Sequence, residues 1–291
     1  MSFTVKANAK VNLFLEIINK RPDGYHNLKS VFHAINLFDE LTFELSGTDI
    51  KLKCSDASLQ TDETNLVYKA ALAMKNAFNI KEGVNILLKK NIPMGAGLGG
   101  GSSDAATTIN ALNKLWNINA DFETLRKLAS PLGADIAFFL KGGLQMPACY
   151  TALAEGIGDI ITPIEHAPKL EFILVNPKAH VSTPSVYKRV SFPLTNLPKT
   201  GKIDDAYLSF LSGEGFSENM LFNRLESFVI PYYPQIQEVK TALGNLGLNP
   251  LMSGSGSTVF AIVYSNKEAI DIKNKLAKYP WDVWHVTSVN G

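Results

Sequence analysis

The glycine-rich segment at residues 93–106 constrains the fold of this chain more than any other feature. It reads Pro-Met-Gly-Ala-Gly-Leu-Gly-Gly-Gly-Ser-Ser-Asp-Ala-Ala and holds five glycines within seven residues. Glycine loses more conformational freedom on folding than other residues. Such a run is therefore expected where the backbone adopts conformations that residues with a side chain cannot adopt. An apolar run at 84–90 predicts a strand before the segment, and apolar residues at helical spacing over 103–116 predict a helix after it.

The order strand, glycine loop, helix predicts a phosphate-binding loop at residues 93–103, which we call the phosphate loop. The start of a helix presents unpaired backbone N–H groups and the positive end of the helix dipole, and both attract anions. Ser102 and Ser103 can either cap the helix or offer hydroxyls to a phosphate or to Mg²⁺. The alternative is a flexible turn before an N-capped helix, which the length of the glycine run disfavours. The predicted phosphate-binding residues are Pro93, Met94, Gly95, Ala96, Gly97, Leu98, Gly99, Gly100, Gly101, Ser102 and Ser103.

Three better-known phosphate sites do not fit the surrounding sequence. The Walker A loop needs a lysine directly after its last glycine, and none follows here. The glycine spacing does match the dinucleotide fingerprint, but that fold continues with a parallel strand, whereas residues 122–129 predict a second helix. Protein kinases carry His-Arg-Asp and Asp-Phe-Gly triplets, and neither occurs in this chain.

Composition and charge narrow the class of protein further. A chain of 291 residues with 46% apolar and 19% charged residues is globular and long enough for two domains. The net charge of +1 offers no basic surface for nucleic acid or for an anionic membrane, so we expect neither as a partner. Apolar runs stay short of the roughly 18 residues of a membrane helix, and the N-terminal residues lack the features of a signal peptide. We therefore expect a cytoplasmic location.

The remaining elements predict an α+β chain in two parts. The sequence pattern changes near residues 155–170, so we predict one domain at 1–160 and a second at 161–291. Residues 36–39 predict a turn between two strands, and 191–215 predict a surface loop or short helix. Predicted strands lie at 11–18, 31–37, 40–45, 170–175 and 258–264, and predicted helices at 66–78, 122–129, 221–229, 236–246 and 268–276.

Several sequence blocks together resemble the GHMP kinases, a superfamily of small-molecule kinases. Their phosphate loop has the form Pro-x-x-x-Gly-Leu followed by serines and small residues, as here from Pro93. The other blocks are Ala9 to Leu13, Arg21 to His26, Asn65 to Val67, Gly133 to Asp135, Ala154 to Asp159, Thr183-Pro184 with Tyr187, and Ser253 to Ser257. The pairing of Lys10-x-Asn12 with Asp-Gly-Tyr-His is the most specific. It is similar to the branch whose acceptor is a cytidylated sugar alcohol of the non-mevalonate isoprenoid pathway.

The resemblance implies a fold and a reaction. The fold would be a two-domain GHMP kinase architecture with the active site in the cleft between the domains. The reaction would move a phosphoryl group from ATP, with Mg²⁺, to the 2-hydroxyl of the acceptor. Asp135 would be the base, and Lys10 would stand beside it. The residues support part of this, since Lys10 lies on the strand face opposite Val11 and Leu13, and Asp135 precedes an apolar run. The alternatives are a structural salt bridge or two separate surface charges.

The resemblance also implies the acceptor pocket. Its residues would be Asn12, Tyr25, His26, Thr183 and Tyr187, with the two tyrosine rings enclosing the cytosine; the alternative for each ring is core packing. Asn65 is the candidate adenine contact. The Ser253 to Ser257 block would be a second binding loop beside the first, or else a tight turn before a strand.

Asp104 and the segment after Gly142 each have an expected role, and two other functions are disfavoured by the sequence. Asp104 is expected to cap the helix, or else to hold Mg²⁺ through water. The segment after Gly142 is longer than the family pattern and is expected to affect the acceptor side. A kinase for another alcohol such as homoserine is disfavoured by the Asp23 to His26 block. A nucleotide-binding protein without turnover is disfavoured by the presence of both Lys10 and Asp135.

Overall fold

The computed structural model describes residues 2–147, 150–191 and 217–289. In chain order the strands are β1 (Ser2–Lys20), β2 (His26–Leu45), β3 (Ile50–Cys54), β4 (Val84–Lys89), β5 (Thr151–Glu155), β6 (Ile160–Ile164), β7 (Glu171–Asn176), β8 (Phe222–Asn223), β9 (Leu251–Met252), β10 (Val259–Val263) and β11 (Asp282–Thr287). The helices are α1 (Leu66–Ala77), α2 (Gly100–Leu115), α3 (Phe122–Ala129), α4 (Ile136–Gly142), α5 (Thr183–Arg189), α6 (Glu226–Val229), α7 (Pro234–Gly244) and α8 (Asn266–Leu276).

Two sheets organise the molecule and confirm the predicted α+β class. The larger sheet has seven strands in the order β3-β4-β2-β1-β8, with β5 also paired to β2 and β6 to β5. The smaller sheet has the order β11-β7-β10-β9. Helices α1 to α4 bury their apolar faces with the larger sheet, where Ile109 and Leu112 of α2 share a core with Phe43 and Leu88. The division at 160/161 stays a prediction, and the smaller sheet begins at Glu171.

The two halves share buried contacts. Val11 and Leu13 of β1 lie in one apolar cluster with Phe172 of β7 and Phe260 of β10. The short strand β8, although late in the sequence, runs parallel to β1. Helices in the described ranges all fall short of the length and apolar character that crossing a membrane requires.

The predicted turn at 36–39 is wrong, because β2 continues through it. The pairs Asn8↔Phe38 and Ala9↔Ile35 flank a register shift, so Asn36 and Leu37 form a bulge within the ladder. The Asn36 side chain accepts a hydrogen bond from the Thr287 backbone N–H at 2.9 Å. A polar residue that predicts a turn by its type is therefore used here to attach β11 to the larger sheet.

The predicted helix at 221–229 is wrong in its first half. Phe222 and Asn223 are extended as β8, and α6 begins only at Glu226. The Asn223 side chain donates to the carbonyls of Met252 and Gly254, each at 2.7 Å, so its interactions are with a distant loop rather than with a local helix. The predicted segment 191–215 lies, apart from Ser191, outside the described residues. The other predicted helices and strands are present, with ends shifted by a few residues or, for β1, many more.

Candidate active site

A cavity of about 1070 Å³ is lined by residues from both halves of the chain. Every residue predicted for the site lines this cavity except Ser103, which is buried in α2. The structure thus brings together predicted residues that lie as far apart in the sequence as Lys10 and Tyr187. Further residues line the cavity that were not individually predicted to contact ATP or the acceptor. Among them are Phe32, Lys90, Asp104, Gly254 and Ser255.

The phosphate loop leads directly into α2, as predicted, but the helix begins three residues earlier, at Gly100. Its N-cap is Gly99, whose φ of 71° is left-handed and whose lack of a side chain leaves the first amides without a side-chain cap. Of the two roles considered for Ser102 and Ser103, capping of the helix is therefore not the one that the structure shows. The uncapped amides at this helix start remain available to an anion.

The Ser253 to Ser257 segment lies against the phosphate loop, as predicted. The Ser253 hydroxyl donates to the Gly97 carbonyl at 2.9 Å, and the Thr258 N–H donates to the Ala96 carbonyl at 3.2 Å. At Gly97, which has a φ of 76°, an added Cβ would lie 2.0 Å from the Ser253 carbonyl oxygen. Only glycine fits this close approach of two backbones.

Lys10 and Asp135 form the charged centre of the cavity. Lys10 Nζ lies 3.5 Å from Asp135 Oδ2, and their side chains are 4% and 34% exposed. The same ammonium donates to Asn12 Oδ1 at 2.5 Å and to the Gly97 carbonyl at 3.4 Å. It also lies 4.8 Å from the centre of the Phe32 ring. Burial lowers the pKa of Lys10, and the neighbouring Asp135 opposes this effect.

Local structure fixes both partners of this pair. Lys10 is a central residue of β1, and Asn12 beside it donates from Nδ2 to Ser30 Oγ on β2 at 2.9 Å. Asp135 directly precedes α4, whose residues Ile136, Phe138 and Leu140 are buried in the core. Because an apolar helix anchors the chain just after the carboxylate, Asp135 is held at the cavity wall while keeping access to it.

The predicted acceptor residues lie together, but the two tyrosines differ in setting. Tyr25 is 60% exposed, whereas the Tyr187 ring packs on His26 with a centroid distance of 5.5 Å. Burial lowers the pKa of His26, with a smaller effect of Lys20. Burial, with the charge of Asp135 adding to it, raises the pKa of Tyr187. Thr183 Oγ1 lies 2.7 Å from Ser255 Oγ, which joins the acceptor residues to the second loop.

Asn65 has a structural task as well as a place at the cavity wall. Its Oδ1 accepts from the Val67 N–H at 2.9 Å as the N-cap of α1, and its Nδ2 donates to the Gln60 carbonyl at 2.7 Å. Asn65 is thus itself the N-cap of α1. A contact of Asn65 with adenine stays a prediction.

Asp104 does not cap α2, so the predicted capping role is wrong. Its carboxylate is buried and lies 2.9 Å from Lys90 Nζ, which also contacts Asp39. Burial raises the pKa of Asp104 to about 7, with Lys90 opposing the effect and Asp39 adding to it. Sequence reasoning missed Lys90 and Asp39, because nothing local relates residues 51 positions apart.

The described residues of the long segment after Gly142 do not line the cavity. Leu144 and Met146 pack against the larger core, and the Tyr150 ring stacks on Phe138 with a centroid distance of 4.8 Å. The expectation that this segment affects the acceptor side has no support from these residues.

Comparison with known proteins identifies two domain families in sequence order. The family model described as GHMP kinases N terminal domain matches residues 65–143, and that described as GHMP kinases C terminal matches residues 210–280. A homoserine kinase from Cytophaga hutchinsonii shares the fold, with a TM-score of 0.68 at 20% identity over 99% of this chain and 95% of its own. The fold and the site together define a kinase of the GHMP type.

More similar relatives specify the family. The 4-diphosphocytidyl-2-C-methyl-D-erythritol kinase of Thermodesulfovibrio yellowstonii is 40% identical over 91% of this chain and 90% of its own length. That of Exiguobacterium sibiricum is 38% identical over 98% of each. A crystal structure of a 4-(cytidine 5'-diphospho)-2C-methyl-D-erythritol kinase covers 99% of this chain and 100% of its own, with a TM-score of 0.81 at 33% identity. The chain belongs to the family of the 4-diphosphocytidyl-2-C-methyl-D-erythritol kinases, which are phosphotransferases.

Proposed function

We propose that this chain transfers the γ-phosphoryl group of ATP to the 2-hydroxyl of 4-diphosphocytidyl-2-C-methyl-D-erythritol, in the non-mevalonate route to isoprenoid precursors. One observation carries the proposal. A single cavity holds the phosphate loop, the Lys10–Asp135 pair at 3.5 Å, and the His26–Tyr187 pair, whose tilted rings are 5.5 Å apart. Phosphoryl transfer needs these parts, because the enzyme mainly positions the two substrates and stabilises charge.

Asp135 is the base in this proposal. The acceptor oxygen attacks the γ-phosphorus, the bond from that phosphorus to the β,γ-bridging oxygen breaks, and the acceptor proton passes to the Asp135 carboxylate. ADP leaves with the bridging oxygen. Lys10 cannot turn away, since Asn12 and the Gly97 carbonyl hold its ammonium, and its charge faces the phosphoryl group in transit.

Backbone amides between Gly95 and Ser103 bind the triphosphate in this proposal. Mg²⁺ usually enters such sites on the substrate phosphates and keeps several waters, so one or two protein oxygens are enough. The described residues contain no cluster of three acidic, histidine or cysteine side chains that would hold a metal by itself, which fits an ion of this kind. Ser102, which lines the cavity, is the residue that would contact it. When bound, Mg²⁺ neutralises phosphate charge.

In this proposal the cytidine end of the acceptor binds at the predicted acceptor residues, away from the phosphate loop. Tyr187 and His26 offer a rigid aromatic surface, and the exposed Tyr25 supplies a second ring that can cover the base. Asn12 and Thr183 supply hydrogen-bonding groups beside it. A cytoplasmic location stays a prediction.

The test is ADP release measured with a panel of acceptors: the cytidylated erythritol, free methylerythritol phosphate, homoserine and mevalonate. We expect turnover with the cytidylated acceptor alone, because only it fills the aromatic end of the cavity. Turnover with homoserine or mevalonate instead would identify a kinase of another specificity. If ATP binds but no acceptor gives ADP release, the chain is a nucleotide-binding protein without turnover.

A further inference from the structure

Three charged side chains from separate parts of the chain meet beneath the phosphate loop. They are Asp39 of β2, Lys90 directly after β4, and Asp104 of α2, with side chains 0%, 7% and 3% exposed. Lys90 Nζ contacts Asp39 and lies 2.9 Å from Asp104 Oδ2. Burying charges in this way is costly unless each finds a partner, so the cluster is an unusual use of the core.

These contacts fix both ends of the phosphate loop. At the entry, Asp39 Oδ1 accepts from the backbone N–H of Asn91 at 2.6 Å and of Ile92 at 2.9 Å. At the exit, Asp104 lies in the first turns of α2. Lys90 joins the two carboxylates, so one ammonium bridges the segment before the loop and the helix after it.

Packing at the same place tightens the connection. A Cβ added at Gly100, the first residue of α2, would lie 3.0 Å from the Ile92 side chain and 3.4 Å from Lys90 Nζ. The entry and the exit of the loop thus touch each other as well as sharing the cluster. The amides between them are presented to the cavity from a closed base.

We propose that Lys90, with Asp39 and Asp104, is a positioning residue that holds the phosphate loop in its ATP-binding conformation. The cluster does not take part in the reaction itself. A loop of many glycines has many accessible conformations, and an enzyme that has to select one of them on binding loses affinity for its ligand. The bridge at the base restricts that choice before ATP arrives. This inference deepens the proposed function at its nucleotide side.

The decisive variant is Asp104→Ala. It removes the exit-side contact but leaves Lys90 with Asp39, a pair of zero formal charge, so no unbalanced charge is buried. We expect the affinity for Mg²⁺ with adenylyl imidodiphosphate, measured by calorimetry without acceptor, to fall about tenfold, as a lost charged hydrogen bond predicts. Asp104→Asn keeps an acceptor oxygen toward Lys90, and its affinity should lie between those of the wild type and of Asp104→Ala.

Lys89→Met is the matched control. Lys89 is the neighbour of Lys90, but its side chain is 58% exposed in a surface pair with Glu40, so the same charge is lost outside the cluster. We expect its nucleotide affinity to equal that of the wild type. Lys90→Met removes the bridge and leaves two facing carboxylates, so it should weaken nucleotide binding more than Asp104→Ala does.

Amide hydrogen exchange separates positioning from general stability. In Asp104→Ala without ligand, we expect faster exchange at 93–103, while α8 in the other half exchanges as in the wild type. Unchanged nucleotide affinity in Asp104→Ala would overturn the proposal, and so would equally faster exchange in the loop and in α8. The measurement uses no acceptor, so a wrong acceptor assignment would leave this result intact.

Discussion

At the scale of single residues, Lys10 keeps an ammonium in a place where water cannot solvate it. The residue is only 3% exposed, and this burial lowers its pKa because it penalises the charged form. Part of that penalty is offset by the Asp135 carboxylate, the Asn12 oxygen and the Gly97 carbonyl. Structure alone would be served as well by two apolar residues, since a buried ion pair adds little net stability. The exposure of Asp135 to the cavity fits a pair that meets a substrate.

Asp135→Asn should lower kcat by about 100-fold or more, because the amide cannot accept the acceptor proton. The size of the loss is limited by the loose transition state of phosphoryl transfer. Steady-state ADP release measures it, and nucleotide binding should persist. Asp282→Asn is the control, since Asp282 pairs with Lys178 at 3.0 Å on the surface. Turnover of Asp135→Asn within a few-fold of the control would remove Asp135 from the role of base.

Tyr25→Ala should raise KM for the cytidylated acceptor by about tenfold, as expected when a base loses one stacking partner. KM for ATP should stay within about twofold, because in the proposed arrangement the ring contacts only the acceptor. The control is Tyr264→Ala, which removes a ring that is 77% exposed and does not line the cavity. An equal rise in both KM values would place Tyr25 outside the acceptor pocket.

At the scale of elements, the phosphate loop and the Ser253 to Ser257 segment form one layer, since their backbones touch at Gly97. Gly97→Ala should weaken ATP binding and lower the free energy of unfolding, because the new methyl overlaps the Ser253 carbonyl. Gly247→Ala is the matched control: its φ of 85° is also left-handed, but nothing lies within 4 Å of its Cβ position. It should lose only the roughly 1 kcal/mol of backbone strain. Similar losses in the two variants, by urea unfolding and calorimetry, would contradict the close approach.

Elements with a regular local pattern could be predicted from the sequence, and those shaped by distant contacts could not. The glycine run and the helical spacing after it predicted the loop and α2. The strand β8 escaped prediction because Asn223 bonds to Met252 and Gly254, which local periodicity does not contain. The same holds for the site. The sequence blocks around Lys10, Asp135 and the phosphate loop could be recognised as local motifs, whereas Asp39 and Lys90 come into contact only because β2 and β4 pair in the larger sheet.

At the scale of the whole molecule, His33 connects the two sheets. Its Nδ1 lies 2.7 Å from Thr151 Oγ1 and its Nε2 lies 2.8 Å from Ser288 Oγ, while its ring meets Phe172 of β7 edge-on. Ser288 also pairs with Ile35 of β2. Complete burial lowers the pKa of His33 to about 3, so the ring is neutral in the folded protein.

This histidine predicts a loss of stability in mild acid. Between the unfolded pKa of about 6.5 and the folded value of about 3, the unfolded chain binds more protons, so the free energy of unfolding falls as the pH drops. The contribution at pH 5 is about 2 kcal/mol. Urea unfolding at pH 7 and pH 5 should show a loss smaller by about that amount in His33→Gln than in the wild type. Equal losses would mean that His33 is not the group responsible.

The most direct test of the account is a crystal structure with adenylyl imidodiphosphate, Mg²⁺ and the cytidylated acceptor bound together. We predict the phosphates on the backbone amides between Gly95 and Ser103. The cytosine should lie against Tyr187 and His26, and the 2-hydroxyl should lie within about 3.2 Å of an Asp135 carboxylate oxygen. A 2-hydroxyl out of reach of Asp135, or phosphates bound away from the loop, would contradict it.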